Sequence, residues 1–124
     1  MAELVQNLGS FVPDNLIVDG SVPVLTKAVK LDAGQGILQR GTVLGKITVS
    51  GQYVVVNSAN TDGSENADCI LADDVDTTES VVAVAYTSGH FNRKALVFGG
   101  SDTADTHEAR LRELGIFLSD NVSY

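Results

Sequence analysis

From Leu16 onward the chain is a series of short, β-branched apolar runs, each cut off by Gly, Asp, Asn or Lys within a few residues. That punctuation restricts the fold more than any other feature, because it leaves strands and tight turns but almost no room for helices. Leu16–Val18 is a first candidate strand, stopped by Asp19-Gly20. Val22–Lys30 is longer, and its Pro23 and two lysines predict an edge or partly exposed position. Thr42–Val49 alternates, with Val43, Ile47 and Val49 on one face and Thr42, Lys46 and Thr48 on the other. Ser50-Gly51 reads as a two-residue hairpin loop into the strand Gln52–Val56. A polar loop over Asn57–Asp68 precedes a short strand at Cys69–Ala72. Val81–Tyr86 is apolar throughout, as expected of a strand covered on both faces. Thr87-Ser88-Gly89 then turns the chain into His90–Phe98. Six or seven short strands with turns at such intervals predict a small barrel or sandwich.

One helix is expected near the C-terminus. Asp105 is placed to cap it, with Glu108 three residues later in a capping-box arrangement. Leu111 and Leu114 share a face, and Gly115 supplies the left-handed stop beside Arg110 and Arg112. Ile116–Leu118 is short enough to return to the sheet as a last strand. Before the first strand, Met1–Asn15 follows neither a helical nor a strand period and reads as an extended arm. The organisation expected is therefore an arm over 1–15 and a single β-rich domain over 16–124.

Charge and composition narrow the function. At 124 residues the chain suits one domain, and sixteen acidic against eight basic residues give it a formal charge of −8. That balance argues against sequence-independent nucleic-acid binding, which needs a basic footprint. One cysteine excludes an internal disulfide framework, and two histidines without a Cys/His cluster leave no zinc pattern. No run approaches the length of a membrane-spanning helix, and Met1–Asn7 lacks the basic start and apolar stretch of a signal peptide. A protein without cofactor, nucleic acid or membrane among its partners is the expectation.

No catalytic constellation emerges. A Gly-x-Ser-x-Gly elbow is missing, since Gly99-Gly100-Ser101-Asp102-Thr103 lacks the closing glycine. His90 falls at an expected hairpin tip and His107 in the first helical turn, where each reads as a solvated or interface residue. Cys69, followed by Ile70 and Leu71, reads as a small buried hydrophobe. Seven carboxylates lie between Asp62 and Glu79, and no Lys or Arg falls between Lys46 and Arg93. Their spacing fails the EF-hand template, and a solvated acidic edge that discourages stray strand pairing is the expectation. Gly34-Gln35-Gly36 opens like a phosphate-binding loop, but Gln39 stands where the last glycine belongs. Asn121-Val122-Ser123 matches a glycosylation acceptor in a chain without a secretory signal.

Several strings in order look familiar. Leu38-Gln39-Arg40-Gly41-Thr42-Val43-Leu44-Gly45 is followed by the Asp62-Gly63 loop and then by Ala67-Asp68-Cys69-Ile70-Leu71-Ala72-Asp73-Asp74. Gly89-His90-Phe91-Asn92-Arg93-Lys94-Ala95-Leu96 comes next, and a short helix runs into Gly115-Ile116. This succession, covering roughly Thr26 to Leu118, resembles the lambda-type head decoration proteins of tailed bacteriophages. The resemblance implies a β-rich domain with one helix, assembled as a homotrimer on the outside of the expanded phage head. There it would bridge major capsid protein subunits at local three-fold positions and stabilise the virion capsid, after assembly in the host cytoplasm. It further implies that the N-terminal arm adds a strand to the capsid protein, for which Leu4, Val5, Leu8, Phe11 and Val12 are the apolar residues available. Two other classes remain open on the residues alone: a small β-rich ligand- or carbohydrate-binding module, and a carboxylate- or metal-dependent hydrolase built on Asp62–Glu79.

Overall fold

Inward and outward residues alternate along Val81–Asn92, and this one twelve-residue strand organises the molecule. The computed structural model describes residues 16–17 and 22–119, and all that follows refers to these. In chain order they form β1 (Leu25–Leu31), β2 (Ile37–Leu38), β3 (Val43–Lys46), β4 (Tyr53–Val55), β5 (Ala67–Leu71), β6 (Val75–Asp76) and β7 (Val81–Asn92). A 3-10 turn at Arg93–Ala95, the helix α1 (Ala104–Leu114) and β8 (Ile116–Ser119) complete them. Strands run in the order β1-β4-β3-β5-β7, and β7 pairs back onto β1, closing a five-stranded barrel. The expectation of a mainly β, barrel-like domain with one short C-terminal helix is met.

The buried residues form two core layers. One fills the barrel with Val29, Leu31, Leu44, Cys69, Leu71, Ala83 and Ala85. The other lies outside it, where Val43, Val56, Ile70 and Phe91 pack against Leu111 of α1, Ile116 and Leu118 of β8, and Leu16. Strands β3 and β5 are therefore buried on both faces. A bulge at Asp68, where Leu44 and Gly45 face Cys69 and Ala67, shifts the alternation of β5 by one residue.

Several expected elements are corrected. Strand β1 is not an edge: it lies between β7 and β4, although its outer face is exposed as expected. Strand β3 stops at Lys46, so Ile47 and Val49 do not extend its apolar face, and Val49 is 97% exposed at the turn. The Ile47 N–H donates to Gln52 at 2.8 Å and the Gly51 N–H to Ile47 at 2.8 Å, so the hairpin loop is longer than Ser50-Gly51. The apolar run at the start of β7 is covered on one face only. Ala83 and Ala85 point into the barrel, while Val82 and Val84 are 65% and 48% exposed.

No turn occurs at Thr87-Ser88-Gly89, because β7 runs straight through it. Gly89 is there for a different reason: with φ 145°, a Cβ at this position would meet the Phe91 ring at 2.8 Å. A glycine inside a strand marks such a close approach as readily as a turn. His90 consequently sits within β7, opposite Phe117 of β8, and not at a hairpin tip. The helix is capped two residues earlier than expected, by Thr103 and not Asp105, and the Thr103 N–H donates to the Thr106 hydroxyl at 3.1 Å. Asp105 and Glu108 are not capping residues. Gly115 does end the helix in the left-handed conformation, at φ 93°.

Candidate functional site

Strand β7 ends at Asn92, and both ends of the described chain meet there. The Asn92 N–H donates to the Leu16 carbonyl at 2.7 Å, and Ile17 bridges antiparallel to Phe91. On its other side β7 pairs parallel with β8, which puts Asn92 opposite Ser119. This pole of the barrel is braced from outside. Arg93 forms a two-pronged bond to Glu108, at 2.6 and 2.8 Å, and a further bond to Asp105 at 3.0 Å. The acidic residues expected to cap α1 instead hold it against the end of β7. Arg112 stacks over Phe117, 5.1 Å from the ring centre. Leu4, Val5, Leu8, Phe11 and Val12, the residues expected to bind a capsid strand, lie outside the described residues, as does the Asn121 acceptor sequence. Leu16 was legible only as part of a short strand. Its pairing with Asn92 joins residues far apart in the chain, which no local pattern reveals.

The histidine in α1 has a different setting from the one expected. His107 is buried, its ring stacked on Phe98 and its Nε2 2.7 Å from Asp102 Oδ2. Burial acts to raise the Asp102 carboxyl, but hydrogen bonds from Ser58 and His107 outweigh it and hold the group below its usual range. The Ser58 hydroxyl donates to Oδ1 at 2.6 Å and its N–H to Oδ2 at 2.7 Å. The carboxylate thus stands between serine and histidine. Nucleophilic activation needs the histidine beside the serine, so this order serves to fasten a loop to a helix.

Remaining candidates resolve into structural roles. Lys27 Nζ bonds Asp68 at 2.8 Å and the Tyr53 hydroxyl at 2.9 Å. Burial works against the Lys27 charge, yet these bonds raise its pKa above the ordinary value. Tyr86 takes a hydrogen bond from Arg40 at 2.6 Å. Both described tyrosines are therefore engaged by cations of this same chain. Cys69 is buried, as read from its neighbours, and that burial pushes its thiol up to about 12. Within the acidic segment, Asp62 and Asp76 each accept bonds from a residue two places on, and Asp74 accepts from the Arg40 N–H. Among the described residues no three His, Cys, Asp or Glu side chains gather as a metal would require. Nor is any helix among them long and apolar enough to cross a membrane.

The family model of bacteriophage lambda head decoration protein D matches residues 5–117. The chain belongs to that family. No individual curated protein matches it in sequence. Membership makes this decoration-family chain a structural protein of the bacteriophage capsid, and the closed barrel supplies its β-rich body. The match starts at residue 5, so it includes Val5, Leu8, Phe11 and Val12 and leaves out Leu4 alone of the five arm candidates.

Proposed function

We propose that this protein is a capsid cement: it binds the outer surface of the expanded phage head as a homotrimer at local three-fold positions and stabilises the shell. The observation that carries the reading is the family match over residues 5–117, which takes in most of the arm as well as the barrel. The meeting of Leu16, Asn92 and Ser119 at one pole supports it further. A partner docked at that pole would meet Leu16, Asn92 and Ser119 together.

In this reading the arm pairs with a strand of the major capsid protein. Main-chain hydrogen bonds supply affinity, and alternate side chains such as Leu8 and Phe11 supply specificity. Capsid expansion creates the receiving surface, and binding to the expanded form alone lowers its free energy by mass action. Three arms per trimer add avidity. The role is structural and not enzymatic, in keeping with the serine–carboxylate–histidine order and the capsid family.

The test is co-sedimentation with expanded and unexpanded heads, for the whole chain and for a chain lacking residues 1–15. Binding of the whole chain to expanded heads only, and sharply weaker binding of the truncated one, is expected. Equal binding to both kinds of head would refute selectivity for the expanded form. Undiminished binding after truncation would remove the arm from the interface.

A further inference from the structure

We propose that copies of this chain meet through the outer face of the β1–β7 ribbon, which receives the acidic β2–β6 edge of a neighbouring copy. The proposal rests on the trimeric decoration reading and names the surfaces that would build the trimer. Ala28 lies opposite Val84 and Lys30 opposite Val82 on this outer face. Of the seven large hydrophobic residues exposed among the described residues, four (Val24, Leu25, Val82 and Val84) lie on this ribbon or lead into it. An apolar strip concentrated in this way marks a contact, where scattered single residues would not.

Charge identifies the occupant. Neither strand of the ribbon carries a carboxylate, and Lys30 makes no ion pair among the described residues. A chain with a net charge of −8 repels copies of itself over most of its surface. The ribbon is where that repulsion lapses. The complementary surface is present on the same chain. Exposed Ile37 of β2 pairs with Asp76 of β6, and exposed Asp73, Asp74 and Glu79 flank them. Three-fold closure requires such a head-to-tail contact, in which two unlike patches of each subunit meet. Val84 also lies eight residues before Asn92, roughly 26 Å along an extended strand. A contact centred on Val82 and Val84 leaves the pole at Asn92 free for the capsid.

Sedimentation equilibrium from micromolar to millimolar protein tests this, with thermal melting to establish that each variant is folded. The wild-type chain should associate to trimers. Val84→Glu and Lys30→Glu should each weaken association by about tenfold or more, because each sets a carboxylate against the acidic edge. Val49→Glu is the control, an equally drastic change at an exposed apolar position in the β3–β4 turn, on neither strand of the ribbon. It should leave association unchanged. Adding Asp73→Lys to Lys30→Glu should restore much of the loss, and failure to do so overturns the acidic edge as the occupant. A wild-type chain monomeric throughout, or ribbon variants that assemble like wild type, overturns the proposal. Head co-sedimentation by the wild-type chain measures the decoration reading separately, so failure of this contact and failure of that reading are told apart.

Discussion

The Asn92 N–H donates to the carbonyl of Leu16 at 2.7 Å, which ties the start of the described chain to the end of its longest strand. Leu16 is also fully buried in the outer core, against Phe91 and Leu111. Deleting residues 1–15 keeps this anchor, and the thermal midpoint of the free protein should stay nearly unchanged. Leu16→Ala in the full chain should instead cost about 2–5 kcal/mol, the range for emptying a well-packed site. Chemical denaturation of the two proteins checks the contrast. A large loss on deletion would place part of the arm within the folding unit.

The outer core makes Leu111 a similar test within α1. Its side chain is fully buried beneath the helix. Leu111→Ala should destabilise the fold by about 2–5 kcal/mol, measured by urea unfolding. Leu114→Ala, at a half-buried position, should cost clearly less.

Most of the barrel was legible because its signals are local. Gly115 ended the helix where expected, and the runs around Tyr53, Cys69 and Val81 became strands. The misreadings share one physical cause. Gly89 looked like a turn because sequence does not show the Phe91 ring that needs the space. Asp105 and Glu108 looked like capping residues because Arg93, their actual partner, lies twelve and fifteen residues away. His107 looked solvated because helical spacing does not show its ring stacked on Phe98, although its partner Asp102 stands only five residues before it. The candidate site was not legible at its pole, where Leu16, Asn92 and Ser119 meet. That meeting depends on pairings between distant residues.

Gln35 closes the barrel at its weakest seam. Strands β1 and β4 share a single register pair, Leu31 with Tyr53. Beyond it the Gln35 side chain takes the place of a strand: its Oε1 accepts from the Val55 N–H at 2.9 Å, and its Nε2 donates to the Tyr53 carbonyl at 3.2 Å. Gln35→Ala should cost about 1–3 kcal/mol, since it leaves partly buried backbone groups unpaired. Gln35→Glu should cost at least as much, because a carboxylate cannot donate to the Tyr53 and Asp32 carbonyls. Denaturant midpoints of the two variants decide it.

Cys69 gives a chemical readout of the barrel interior. Burial suppresses its thiolate at neutral pH, and the thiol faces the inner core. Labelling by a thiol reagent at pH 8 should be slow in the native protein and rapid in denaturant. Fast native labelling would mean that the barrel opens readily at β5.

The buried Asp102 makes stability depend on pH in the acid range. Its carboxyl lies below the ordinary value of 3.8 in the folded protein, because the bonds from Ser58 and His107 outweigh the effect of burial. A group lowered in this way adds stability that is fully present above its unfolded value and is lost as pH falls through its folded value. The folded protein should therefore hold this contribution at neutral pH and lose it progressively below about pH 4. Asp102→Asn removes the titration and offers one acceptor oxygen where the carboxylate offers two. At neutral pH it should cost about 1–3 kcal/mol, as for other broken buried hydrogen bonds. Between neutral pH and pH 3 the variant should lose less stability than the wild type. Urea unfolding of both proteins across that range supplies the measurement. Parallel pH profiles for the two would show that Asp102 does not govern acid stability, whatever the cost of the substitution at neutral pH.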